Sequence, residues 1–254
     1  MNISSHYKLK HFIPWTRSKI YKMLLLSIIP TLLFYFLDWK WLAIPWVPVA
    51  LLGTATAFIS GFKNTQTYNR TWEARQVYGA IINSSRAFGI MVKDFIRSED
   101  KILEKQLHQE IIYRHFAWLT ALRFQLREIK SWENVKTKSY NREYLQYYNV
   151  PEWESSLNEE LAGFLSEEEL QYILSTKNRA TQIISSQSSQ LKKLNEENKI
   201  SDYNYVALEN QLKELNDQQG KCERLKNFPY PRQFSSINLY FTNALCLLMP
   251  LGFI

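Results

Sequence analysis

Thr54, Phe58 and Phe62 are spaced i, i+4 and i+8. On a helix they share one face, drifting by about 40° per step, because four residues overshoot one 3.6-residue turn. Small neighbours (Gly53, Ala55, Ala57, Ser60 and Gly61) let a second helix approach closely. Repeated around an axis, the two phenylalanines would form stacked apolar rings. Such a constriction gates by dewetting, since an ion there sheds water and finds no polar group in exchange. The same periodicity also describes phenylalanines that face lipid or pack in a core. Lys63, Asn64, Asn69, Arg70, Glu73 and Arg75 follow directly. Charges at a membrane exit anchor and snorkel, and Glu73 could pair with Arg70 at i, i+3.

The element that must carry these residues begins as Leu42–Phe62, an uncharged run of the roughly 20 residues a bilayer crossing needs. It turns polar without a helix breaker, so one helix is expected to run on past the membrane through Thr71–Val92. A first crossing is expected at Met23–Leu37, with Ile20 and Tyr21 ahead of it and Pro30 inside. No small-residue cleavage site follows, which argues against a signal peptide. Asp38–Trp41 reads as a short turn whose tryptophans, with Trp46, suit the bilayer interface. Ser235–Ile254 is a third uncharged run. Lys8, Lys10, Arg17, Lys19 and Lys22 precede the first crossing and Lys63, Arg70 and Arg75 follow the second. The positive-inside rule therefore places the N-terminus and the segment after Phe62 in the cytoplasm. A third crossing leaves the C-terminus outside, and a fourth beyond Ile254 would restore an even count.

The expected class is an all-α integral membrane protein. Its segments are a cytosolic N-terminal stretch (1–22), two crossings (23–62), a helical cytosolic region (63–234) and a third crossing (235–254). Within the cytosolic region, Lys105–Leu126 repeats the helical pattern, with Ile111, Ile112, His115, Trp118, Leu119 and Leu122 as one stripe. Tyr140–Val150 reads as a loop and Pro151 as a helix first turn. Ser166 with Glu169 forms a capping box before Leu170. Gln182–Leu194 and Asp202–Leu215 are further helices, the last stopping at Gly220.

Composition narrows the chemistry. The formal net charge of +7 is compatible with nucleic acid or an anionic surface, but the basic residues cluster as insertion signals, so no nucleic-acid partner is expected. Two distant cysteines, Cys222 and Cys246, give no disulfide framework and no Cys-x-x-Cys site. His108 and His115 stand a heptad apart, the wrong spacing for a metal pair on one helix, so a packed or surface role is expected. The His-Glu-x-x-His, Gly-x-x-x-x-Gly-Lys and Gly-x-Ser-x-Gly templates are absent. No enzyme activity, metal or cofactor is expected, and Glu167–Glu169 suits a helix dipole better than catalysis.

Three blocks carry a resemblance. The first is Phe62-Lys-Asn-Thr-Gln-Thr-Tyr-Asn-Arg-Thr-Trp-Glu-Ala-Arg-Gln-Val-Tyr-Gly-Ala-Ile-Ile-Asn-Ser-Ser-Arg86. The second is Arg114-His-Phe-Ala-Trp-Leu-Thr-Ala-Leu-Arg123. The third is Cys222-Glu-Arg-Leu-Lys-Asn-Phe-Pro-Tyr-Pro-Arg-Gln233, leading into Leu247-Leu-Met-Pro-Leu-Gly252. In this order they resemble the bestrophin family, particularly its bacterial members, with Asn64, Arg70, Trp72, Glu73 and Arg75 on the first motif. The resemblance implies a homopentameric channel with four membrane helices per subunit, a large helical cytosolic region and one long pore. It implies a neck at Thr54, Phe58 and Phe62, and a second constriction near Ile183 or Ile184. Thr71 stands where the family has a tryptophan, and Thr54 where it has an apolar residue, which would widen or wet one end of the neck. The acidic segment that carries a calcium clasp in animal members is absent, so no calcium site is assigned. The implied function is passive conduction of small monovalent inorganic ions through a multi-pass protein of the bacterial inner membrane, in contact with lipid. Chloride leads, with sodium-type cation selectivity open. The alternative is a membrane-anchored helical interaction or signalling protein without conductance.

Overall fold

The computed structural model describes Leu9–Ile254, and every regular element among the described residues is helical. The α-helices are α1 (Leu9–Leu37), α2 (Trp46–Phe95), α3 (Lys101–Arg127), α4 (Ser139–Leu145), α5 (Leu157–Ala162), α6 (Glu167–Ser175), α7 (Arg179–Glu196), α8 (Asp202–Asn227) and α9 (Arg232–Phe253). Short 3₁₀ turns occupy Lys40–Leu42 and Pro151–Trp153. Among the described residues, three stretches are long and apolar enough to cross a membrane, in α1, in α2 and in the stretch ending with α9. With their exposed apolar surface, they make this a membrane protein.

The chain divides into two compact units. One holds the residues up to Arg70 together with Ser131–Asn149 and Pro229–Ile254. The other holds Thr71–Lys130 and Val150–Phe228. The 131–149 segment thus packs with the membrane-type helices. α2 is continuous, as expected, and contributes to both units.

In the first unit, α1 begins well before Met23 and accommodates both Pro14 and Pro30. It ends because Asp38 adopts φ 57°, a left-handed conformation that a short polar side chain tolerates. Lys40 N–H then donates to Asp38 O at 2.8 Å, closing the turn. Pro48 sits in the first turn of α2, where its missing N–H costs no helical bond. α2 packs on α9 along Val49, Gly53, Thr56 and Ser60. Val49 and Thr56 are buried, and Ser60 Oγ lies 3.0 Å from Asn238 Oδ1. Gly252 permits the close approach here, because a Cβ would stand 3.0 Å from Val49 Cγ2 and 3.3 Å from the Trp46 ring, and both side chains would have to give by a few tenths of an ångström.

The second unit has one core built by α2, α3 and α5–α8. The α2 contribution is Val77, Ile81, Phe88 and Val92, at helical spacing. α3 follows the expected stripe, with Ile111, His115, Trp118 and Leu122 buried and Ile112 and Leu119 packed at its edge. Ser166 caps α6 by accepting from Glu169 N–H, as the sequence indicates. α7 ends with Asn198 at φ 57°, where Lys199 N–H donates to Leu194 O and Asn198 N–H to Asn195 O. This is the paired bonding of a Schellman cap, with asparagine in the usual glycine position.

Two expectations need correction. Tyr140–Val150 is not all loop, because Ser139–Leu145 forms α4, anchored on α1 by an Arg17–Glu143 ion pair at 2.7 Å. Gly220 does not stop α8, which runs on to Asn227. Burial of Leu215, Gln218 and Gln219 on one face outweighs the roughly 1 kcal/mol that an interior glycine costs.

Candidate functional site: the free face of α2

Within the first unit, α2 has two sides of different character. At 100° per residue, the face that packs on α9 and the face carrying Thr54, Phe58 and Phe62 lie about 170° apart. The packing side is therefore committed and the other is open. Phe58 is 68% exposed and Phe62 57% exposed. Their rings meet edge to face, with centroids 4.7 Å apart and planes at 87°, a geometry the ring quadrupoles favour. Thr54 is exposed, and its Oγ1 donates to Ala50 O at 3.1 Å. That bond occupies the hydroxyl's hydrogen and leaves its oxygen lone pairs turned outward, a polar end to an otherwise greasy stripe. Lys63 Nζ lies 6.0 Å from the centre of the Tyr230 ring, within cation–π range.

Beyond Phe62, the motif residues Asn64, Arg70, Trp72 and Arg75 are exposed. Glu73 forms an ion pair with Arg224 of α8, which binds the start of the second unit's α2 segment to its last helix. Arg75 and Arg86 are exposed, eleven residues apart and hence within about 20° on one stripe. They have no ionic partner among the described residues.

In the second motif block and at the start of the third, Arg114, Trp118 and Glu223 join helices to one another. Arg114 is buried, with a two-point contact to Glu169 at 2.6 and 2.9 Å. It also donates to Gln190, and to Glu110 at 3.1 Å. Burial alone would pull its pKa down, but the two carboxylates more than offset that and raise it. Trp118 Nε1–H donates to Gln219 Oε1 at 2.8 Å. Glu223 Oε1 accepts from Gln125, Asn178 and Gln219 at 3.0, 3.1 and 2.7 Å. No sequence signal connects the long-range pairs, whose members lie 55, 101, 98 and 45 residues apart.

His108 Nε2 contacts Ile96 O at 2.9 Å, and His115 is packed between Phe88 and Trp118. Both histidines are therefore structural. Among the described residues, no group of three His, Cys, Asp or Glu is placed to hold a metal ion. Burial holds the His115 pKa at about 4, because Nε2 lacks a partner that would stabilise the charge. The folded state then binds fewer protons than the unfolded state between pH 6.5 and about 4. Stability is expected to fall as pH drops through that window, by about 3 kcal/mol at the bottom. A thermal-midpoint series against pH checks this, and His115→Phe should flatten the part due to this residue.

The second expected constriction, near Ile183 or Ile184, falls on α7. Ile183 is 1% exposed, locked in the core with Leu191 and Leu194 on the inner face of α7. Ile184, half-buried beside it, retains surface.

A family profile described as Bacterial/Fungal Bestrophin protein matches residues 13–254. The chain is 24% identical over 241 residues to "Voltage-dependent anion channel-forming protein YneE" of Salmonella typhi, covering 93% of this chain and 69% of that protein. It is 23% identical over 207 residues to the Escherichia coli K12 protein of that name, covering 82% and 58% respectively. Among solved structures, a bacterial bestrophin homologue from Klebsiella pneumoniae carrying a single substitution superposes with a TM-score of 0.75 at 24% identity. It covers 93% of this chain and 77% of that one. A profile match across nearly the whole chain, together with this shared fold, makes the chain a member of the bacterial and fungal bestrophin family.

Proposed function

We propose that the chain is a subunit of a homopentameric channel that conducts small monovalent ions passively, with anions preferred, across the bacterial inner membrane. The observation that carries this reading is the two-sided α2. One face is consumed by α9, and the opposite face presents Phe58 and Phe62 with no covering helix among the described residues of the same unit. Copies arranged around an axis bury that face in rings, as a dewetting neck requires. Thr54 wets one end of the neck. The relatives named as anion channels support the ion class. The basic residues ahead of the first crossing support a cytoplasmic N-terminus.

Arg75 and Arg86 support the sign of the preferred ion, since exposed cations on one stripe raise the local anion concentration. The reading is tested by reversal potential in reconstituted liposomes under asymmetric potassium chloride. A potential near the chloride equilibrium value is expected, and one near the potassium value overturns the anion preference. Arg75→Gln with Arg86→Gln should cut the chloride preference by about fivefold, corresponding to ~1 kcal/mol of lost attraction. The cut should shrink as ionic strength rises. Absence of any flux would favour a membrane-anchored interaction protein instead.

A further inference from the structure

The segment 131–149 is built for a lipid surface. Its helix α4 is held against α1 at a definite level. Arg17 pairs with Glu143 at 2.7 Å, Trp15 Nε1–H donates to Asn141 Oδ1 at 3.3 Å, and the Trp15 and Tyr140 rings meet edge to face at 6.4 Å. Counting the roughly 20 residues of a crossing back from Leu37 reaches Ser18. Trp15 and Arg17 therefore stand within one turn of the hydrocarbon edge, at headgroup depth.

The exposed chemistry at that level suits headgroups. Trp132, Tyr147 and Tyr148 are 46%, 40% and 43% exposed. Residues 9–22 and 131–149 together hold seven Lys and Arg against two Glu, and the Arg17–Glu143 pair takes one of each. Lys138 and Arg142 are exposed, and so are Lys19 and Lys22, whose long side chains snorkel from the first turns of the span to the headgroups. Aromatic rings with one polar end, set among basic residues, are the signature of an interfacial segment attracted to anionic lipid.

We infer that 131–149, with the first turns of α1, forms a binding surface for anionic phospholipid headgroups in the leaflet on the N-terminal side. The inference rests on α1 being a membrane span. It adds a regulatory partner, because lipid charge would set how firmly α4 is pinned against the base of that span.

The test uses the full chain with Cys222→Ser and Cys246→Ser, bimane-labelled at Trp132→Cys. It is reconstituted in phosphatidylcholine vesicles with trace nitroxide-labelled phosphatidylglycerol or phosphatidylcholine. Phosphatidylglycerol should quench at least about fivefold more effectively, the factor that one basic residue near an anionic surface supplies. Lys138→Gln with Arg142→Gln should abolish the preference, and Lys138→Arg with Arg142→Lys should keep it. Equal quenching by both lipids, or a preference that survives the glutamine pair, overturns the inference. A label shielded from both lipids means that another copy covers the surface, and also overturns it. A second label at Leu32→Cys reports acyl-chain nitroxide. Its quenching with no response at 132 sinks this inference alone, whereas an unquenched Leu32→Cys label sinks the span itself.

Discussion

Phe58→Ala is expected to raise single-channel conductance by about tenfold and to weaken discrimination between ions. On the proposed arrangement, the ring is the main apolar barrier an ion meets, and each ~1.4 kcal/mol removed from a barrier is worth a factor of ten in rate. Truncation takes away both the phenyl group and its edge-to-face contact with Phe62, so the second ring also loses its support. Because Phe58 is 68% exposed in the subunit, its loss should barely affect subunit folding. Phe58→Leu, which stays apolar but is smaller, should lie between wild type and alanine. Conductance in planar bilayers checks the series, and unchanged conductance and selectivity would remove Phe58 from the neck.

Arg114→Met should be the most damaging single change in the helical body. Arg114 joins α3 to α6 through Glu169 and to α7 through Gln190, and it is almost wholly buried. Removing the guanidinium leaves the Glu169 carboxylate, itself only 17% exposed, without its counter-ion. Breaking one side of a buried pair costs about 3 kcal/mol or more, a fall of about 10 °C in thermal midpoint for a unit of this size. Arg114→Lys should recover little, since an ammonium cannot reproduce the two-point contact. The double variant Arg114→Met with Glu169→Leu should recover most of the loss, because no charge is then stranded. If the single and double variants melt alike, the pair is not what holds these helices.

What the sequence makes legible, and what it hides, divides by range. The crossings, the unbroken α2 and the Ser166 cap are local, and chain periodicity or one side chain meeting its own backbone reveals them. The phenylalanine face is also local, but whether it meets a pore, lipid or protein is not. Only the observation that α9 takes the other side of α2 frees it for assembly. Ile183 and Ile184 show the limit most clearly. Adjacent residues point 100° apart, so an error of one position exchanges core for surface. Here Ala180, Ile183, Gln187, Leu191 and Leu194 form the buried stripe. Arg114 looks like a surface cation in an apolar stripe, and its partners on α6 and α7 cannot be read from spacing. α4 carries tyrosines that suit a loop, and it becomes a helix by docking on α1 rather than by propensity.

The central claim is that the Thr54–Phe58–Phe62 face lines a water-filled path. It is tested most directly by Phe58→Cys in a chain with Cys222→Ser and Cys246→Ser, reconstituted in liposomes and treated with a membrane-impermeant, charged thiol reagent. Modification should proceed from the aqueous phase and shut down chloride flux. Unaltered flux after complete modification, or a thiol at position 58 that reacts only with lipid-soluble reagents, would contradict it.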